Sequence, residues 1–321
     1  MCVKALAIKP EKKEDTARVA VVQAGSIPFD ANACVEKAVA LIGEAAQGGA
    51  KVLLFPEAFI PGYPKGLNYG LSVGASDSGG RKEFQRYFDA SIAVPSIYTN
   101  RIGEAAGANR CYVVIGVIER EHGTCYCTPL FFGLDGTLLG KHRKLMRSAM
   151  ERTIWGFGDG STLTVVNSPY GRIGSVICWE NYMPLLRMAM YSKDVALYCA
   201  PTADDHATWL PSMQHIAFEG RCFVLSACQF LRRKDFVSEV RTSSPDSVLM
   251  RGGSAMISPF GRLLAGPNFD GEAILTADID LKEITRAKFS FDVAGHYSRP
   301  DVFQLVVNEE PMSPVITKPK R

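Results

Sequence analysis

The sequence predicts an α/β domain in which two mixed β-sheets pack together. From Arg18 onward, strand-like and helical runs alternate with little sign of a linker, which is the pattern of an α/β fold. Several neighbouring strands are close enough in sequence to form hairpins, and a purely parallel sheet contains none.

The elements follow in order. Residues 1–17 read as a flexible, charged leader. Val3–Ile8 is too short for a signal-peptide core and runs into Glu11-Lys12-Lys13-Glu14-Asp15 rather than a cleavage site. Arg18–Gln23 is a strand, and Asn32–Gln47 is an amphipathic helix closed by Gly48-Gly49. Lys51–Phe55 is a short buried strand stopped by Pro56. Helices are expected near Arg81–Ser91 and Ser96–Ala108. Cys111–Glu119 and Thr124–Leu134 are adjacent strands, the latter ending in an Asp135-Gly136 turn. Further strands are Leu138–Lys141, Leu163–Val166, Arg172–Ile177, Val195–Cys199, Cys222–Ala227, Gly253–Ser258, Arg262–Ala265 and Ala273–Asp278. Helices cover Pro184–Ser192, Thr208–Arg221 and Leu281–Lys288. Residues 18–308 read as a single domain and 309–321 as a tail, with Asp301–Val307 an alternating, β-prone run.

Composition narrows the function classes. With 321 residues, 47% of them hydrophobic, the chain can bury a substantial core. A net charge of +3 is too small for a nucleic-acid binder, and the basic clusters Lys141–Lys144 and Lys318–Arg321 lack interleaved aromatics. No apolar run reaches the roughly 18 residues of a membrane helix, so the expected home is the cytosol. The nine cysteines are scattered, and several lie in apolar runs where a thiol is a small buried hydrophobe. Cys125 and Cys127 flank Tyr126 and share a strand face. Neither they nor the five histidines have metal-ligand spacing, so no metal is expected. There is no Gly-x-Ser-x-Gly and no phosphate-binding loop, and Gly156–Ser161 is a tight turn.

Three strand ends carry chemistry. Val52–Phe55 stops at Pro56 and delivers the carboxylate of Glu57 just past its end, where α/β folds place active sites. On its own Glu57 would more readily cap a loop or pair with a lysine. Lys141-His142-Arg143-Lys144 would ordinarily be a solvated turn, but a lysine held there can stabilise developing negative charge. Ile173–Ile177 leads through Cys178-Trp179-Glu180-Asn181 into a helix from Pro184. This strand–turn–helix can project a sulfur from the sheet, with the following N–H groups aimed at an anion. A thiolate nucleophile needs its proton removed or its charge stabilised, and the other two strand ends supply a carboxylate and an ammonium. The alternative is an inert buried cysteine.

Together these residues resemble the nitrilase superfamily, whose members use a Glu–Lys–Cys constellation, and within it the nitrilase branch proper. The resemblance runs from about Arg18 to Glu309. Phe55–Pro64 matches the glutamate motif. Lys141–Met146, with Glu151-Arg152 and Trp155–Ser161, matches the lysine motif, and Cys178–Asn181 the nucleophile motif. Cys199–Asp204 and Gly295–Asp301 are similar to plant-type and related bacterial nitrilases. The resemblance implies a four-layer α-β-β-α sandwich with Glu57 as general base, Lys144 as electrostatic stabiliser, Cys178 as nucleophile and Glu151 as a second active-site glutamate. It implies a small-molecule nitrile substrate, no cofactor, and homodimers that build spiral oligomers or filaments. Met146-Arg147-Ser148 departs from the usual Met-Pro-Thr of relatives and leaves pocket shape open. Candidate substrate contacts are Tyr63, just beyond the Glu57 strand end, Trp179, next to the nucleophile, and Trp209, at the start of the helix after Thr202–Asp205. Alternatives are a cyanide dihydratase or an aliphatic amidase or carbamoyl hydrolase with the same residues, and a catalytically silent scaffold. Loss of Glu57, Lys144 or Cys178 would be the mark of the scaffold, and all three are present.

Overall fold

The computed structural model describes residues 14–236 and 244–315. The first half of the chain forms β1 (Thr16–Gln23), α1 (Ala31–Gln47), β2 (Val52–Leu54), a small hairpin of β3 (Leu71–Ser72) and β4 (Ala75–Ser76), α2 (Ser78–Ala90), α3 (Ile97–Asn109), β5 (Tyr112–Glu121), β6 (Thr124–Phe132) and β7 (Leu138–Lys141). Next come α4 (Glu151–Ile154), β8 (Val165–Val166), β9 (Arg172–Ser175), α5 (Pro184–Ser192), β10 (Val195–Thr202), α6 (Trp209–Gly220) and β11 (Phe223–Cys228). The chain continues through β12 (Phe230–Arg232), β13 (Val248–Arg251), β14 (Ser254–Ile257), β15 (Leu263–Asn268), β16 (Ala273–Asp280) and α7 (Lys282–Ser290).

Two six-stranded sheets form, in the orders β16-β1-β2-β5-β6-β7 and β15-β14-β11-β10-β9-β8. Each has a parallel centre, β1-β2-β5 or β9-β10-β11, with antiparallel strands outside it. Strand alternation sorts the side chains into layers. Ala20, Val22, Leu53, Val113 and Ile115 face Val35, Ala38 and Ile42 of α1 and Ile102 and Ala106 of α3. Val19, Val21, Leu54 and Val114 point the other way, onto Leu197, Cys199, Phe223 and Leu225 of the second sheet. The outer face of that sheet, including Tyr198, Val224 and Ile257, is covered by Leu186 and Met190 of α5 and Met213 and Ile216 of α6. The result is the expected α-β-β-α sandwich.

The differences from the sequence reading are local. β1 starts at Thr16, which pairs with Asp280, so the end of the expected leader is strand. Residues 1–13 lie outside the described residues. The strand expected from Leu163 is shortened to Val165–Val166 by a 3₁₀ turn at Gly160–Thr162. The β-prone run Asp301–Val307 forms no strand, and its side chains are exposed. Short elements with little apolar periodicity (β3, β4, α4, β12 and β13) were not anticipated. Of the apolar side chains of α5, Leu186, Ala189, Met190 and Tyr191 are buried in this chain's own core, and Leu185 is exposed. All eight described cysteines are free and buried. Among the described residues, no helix is long and apolar enough to cross a membrane.

Candidate active site

Glu57 sits three residues past the end of β2, directly after Phe55-Pro56, and is fully buried. Its loop lies against β5 at Gly116, where a Cβ would come within 2.3 Å of the Pro56 carbonyl oxygen, so only glycine admits the approach. Gln229, at the end of β11, reaches across from the second sheet. Its Nε2 donates to the Glu57 carbonyl at 3.0 Å, and its Oε1 accepts from the Ser26 N–H at 3.0 Å. Both sheets therefore hold this loop.

The four basic residues after β7 are not a solvated turn. Each meets an oxygen acceptor within the fold. Lys141 donates to Glu119 at 2.5 Å, and Arg143 grips the same buried carboxylate through two nitrogens at 2.6 and 2.9 Å. Both ring nitrogens of His142 face oxygens, the Thr162 carbonyl at 2.9 Å and the Glu180 carboxylate at 3.2 Å. Lys144 turns inward, fully buried, and its Nζ donates to Glu57 Oε1 at 2.6 Å and Glu151 Oε2 at 2.9 Å. Lys141 and Arg143 thus go to Glu119, and Lys144 to Glu57 and Glu151.

Cys178 follows β9 at φ +49°, in the left-handed region that a side-chain-bearing residue enters only when its surroundings enforce it. Its own motif supplies the enforcement. Asn181 Nδ2 donates to the carbonyls of Val176 and Cys178 at 2.9 and 2.8 Å. Glu180 accepts from the Ile177 N–H at 2.9 Å and the Leu145 N–H at 2.5 Å, tying the nucleophile turn to the lysine segment.

Glu57, Lys144, Glu151 and Cys178 are thus gathered in one buried cluster. Burial pushes the Cys178 thiol up, Glu57 adds to that, and Lys144 opposes it. Burial likewise raises the Glu57 carboxyl, against the pull of Lys144. Burial alone would depress the Lys144 ammonium, but Glu57, Cys178 and Glu151 outweigh it and hold it well above the usual lysine value. The resting arrangement is a neutral thiol beside a fixed ammonium between two carboxyl groups. It can move a proton from sulfur to carboxylate and meet new negative charge with the ammonium.

The other candidates separate. Tyr63 donates to Glu151 Oε1 at 2.7 Å and stands edge-on to Trp155, so it borders the cluster. Trp179 is half-exposed, with its indole N–H on the buried Asp204 carboxylate at 2.7 Å. Trp209 is not brought to the cluster. It is buried against α5 and the second sheet, and its N–H is bonded to Ser226 Oγ at 2.8 Å. Arg147, the departure noted in the sequence, makes no hydrogen bond to the carboxylates among the described residues. It donates to the carbonyls of Arg152 and Trp155, capping α4 behind Glu151, and stacks 3.5 Å from the Phe157 ring centroid. Sequence reasoning missed Gln229 and Asp204 as supports and assigned no role to Glu180 and Asn181, although both stand in the nucleophile motif.

Residues 18–289 match the family model described as carbon–nitrogen hydrolase. The chain belongs to that family. An aliphatic nitrilase of Sinorhizobium fredii is 58% identical to this carbon–nitrogen hydrolase over 304 residues, which is 94% of this chain and 98% of the relative. A bifunctional nitrilase/nitrile hydratase of Lupinus angustifolius is 54% identical, covering 94% of this chain and 88% of that one. Among solved structures, the C. elegans NitFhit protein superposes with a TM-score of 0.73 at 20% identity, covering 94% of this hydrolase and 69% of that chain. Saccharomyces cerevisiae Nit3 gives 0.69 at 22% identity, covering 89% and 97%. At those identities the structures speak to the fold alone.

Proposed function

We propose that this carbon–nitrogen hydrolase converts an organic nitrile to its carboxylic acid and ammonia, with Cys178 as nucleophile. The observation that carries the reading is the buried ammonium of Lys144, held between Glu57 and Glu151 beside the Cys178 turn. In this reading the sulfur adds to the nitrile carbon while its proton passes to Glu57 and on to the nitrile nitrogen, giving a thioimidate. Water, deprotonated by Glu57, adds to that carbon. Glu57 returns that proton to the nitrogen, the hydroxyl proton of the tetrahedral intermediate follows it, and ammonia leaves as the thioester carbonyl forms. A second water then hydrolyses the thioester to the acid and restores the thiol. Lys144 and the backbone N–H of Trp179 meet the charge that builds on nitrogen and then oxygen, each such donor being worth about 3–4 kcal/mol in the transition state. Glu151 holds the lysine, and Tyr63 and Trp179 line the approach. The eight free thiols support a reducing, cytosolic setting.

The name of the Sinorhizobium relative makes a small aliphatic nitrile the first substrate to try, and that of the lupin relative makes the amide a product to measure. Incubation with a nitrile and its matching amide, followed by ammonia release and the acid-to-amide ratio, separates nitrilase from amidase. The expected result is ammonia from the nitrile and little from the amide. Cys178→Ala should be inactive and folded, and mass spectrometry of a slow substrate should place the adduct on Cys178. Turnover of the amide alone, or an adduct on Cys199 or Cys228, would overturn the reading. We further propose a homodimer that builds larger assemblies.

A further inference from the structure

Strand β6 is the rail on which the lysine segment lies. Its carbonyls at Pro129, Cys127 and Cys125 accept from the N–H groups of His142, Lys144 and Gly156 at 3.0, 2.9 and 2.7 Å. The Cys127 thiol, fully buried in the same cluster as Cys178, lies 3.4 Å from Glu57 Oε1. A carboxylate can only accept, so the S–H donates. Among the described residues, Oε1 therefore has two donors, the thiol and Lys144, and the buried Oε2 has none.

That asymmetry has chemical content. A buried carboxylate with one satisfied and one free oxygen holds its basic lone pairs on the free one, and the cost of leaving Oε2 unpaired is retained until a proton arrives. We infer that Cys127 is a positioning residue for the reaction: with Lys144 it pins Oε1 of Glu57 and so leaves Oε2 as the oxygen that exchanges the proton. This rests on the reading of Glu57 as general base. Burial and the adjacent Glu57 keep the Cys127 thiol protonated, as a donor must be. The groups facing Glu57 are Lys144 and Glu151 from the lysine segment and α4, Cys178 from the nucleophile turn, Cys127 from β6, Tyr63 from its own loop and Cys228 from β11. Of these, only Lys144 and Cys127 donate a hydrogen bond to its carboxylate among the described residues.

The test uses the full chain and a nitrile substrate. Cys127→Ala removes a donor from an ionised carboxylate, so the Glu57 pKa rises further and the acid limb of kcat/KM moves to higher pH. At neutral pH kcat should fall about five- to tenfold with KM within about twofold, the scale of one modest hydrogen bond. Cys127→Ser, which restores a donor, should recover most of the loss. Cys125→Ala removes the same sulfur from the same strand face, where its thiol meets Ser91 rather than Glu57. It should keep the parent acid limb. If the alanine variant does not fold, Cys127→Val keeps side-chain bulk without a donor and is read the same way. An acid limb and kcat unchanged in the donorless variant overturn the proposal. So do equal shifts in Cys125→Ala, or a serine variant no better than alanine. The reading of Glu57 as general base has its own control: Glu57→Gln must lose activity, and if it does while Cys127→Ala behaves as the parent, only the inference on Cys127 falls.

Discussion

Lys144 shows how little a side chain's identity says before its neighbours are known. In sequence it is one of four consecutive basic residues, and in the fold it is the one whose ammonium has been taken wholly out of water. Such burial is tolerable only because Glu57 and Glu151 both accept from it. Lys144→Ala removes the compensating charge between two carboxyl groups and the donor for the developing anion. Turnover should drop at least about a hundredfold, measured as kcat on the nitrile. Glu57→Gln, which keeps shape but cannot take a proton, should cost at least about as much. Because burial raises the Glu57 carboxyl, the proposed base is charged only above a pKa higher than the 4.5 of an ordinary glutamate, and activity should be lost as pH falls through it. A kcat/KM profile whose acid limb sits below 4.5 would contradict this. A Lys144→Ala enzyme within a few-fold of the parent would return that lysine to a packing role.

The nucleophile turn, the lysine segment and α4 act as connected parts. Glu180 is the latch: one buried carboxylate accepts from Ile177 N–H and Leu145 N–H and also faces His142. Glu180→Ala would leave those donors buried and unpaired, and loss of one member of such a network costs about 3–5 kcal/mol. The melting temperature should fall clearly, and the residual folded enzyme should show lower kcat because Cys178 and Lys144 are no longer held in register. Unchanged melting with unchanged kcat would mean that the turn holds its φ +49° conformation without the latch. Arg147 serves α4 in a related way, binding the carbonyls at the end of the helix that begins with Glu151. It thereby replaces, with a cap, the proline expected at that point.

At the scale of the whole molecule, the tail is where a single chain leaves surface uncovered. Val302, Phe303 and Val306 are 56%, 80% and 88% exposed, in a segment that leaves a turn and pairs with no strand among the described residues. Beyond them the chain is tied down, with Glu309 paired to Lys193 at 2.5 Å and the Met312 N–H on Asp159 at 2.8 Å, over the loop that follows the lysine motif. Apolar side chains on such a segment invite a second chain. Light scattering should return at least twice the 35.0 kDa of one chain. Truncation after Arg299 should shrink the assembly and lower activity together, since it also removes the contacts on the Asp159 loop. A fully active monomer would sink the idea.

The fold class was legible in the sequence because layers follow from periodicity: alternation in β1 alone sends Ala20 and Val22 toward α1 and Val19 and Val21 toward the other sheet. The three strand ends were legible because each motif is local, a proline stop, a basic run and a cysteine turn. Their meeting in one cluster was not, since Glu57 and Lys144 lie 87 residues apart and are joined only by sheet order. The supports were less legible still. Gln229 and Asp204 are ordinary polar residues until the second sheet brings one to the Glu57 carbonyl and the other to the Trp179 indole. Trp209 shows the opposite case, an aromatic near a motif that tertiary packing sends into the core. Sequence by itself determined the fold class and the three local motifs that hold the candidates Glu57, Lys144 and Cys178, because periodicity and local pattern set those. Only the tertiary structure decided which groups are desolvated together, because burial and hydrogen-bond partners are properties of packing between distant segments.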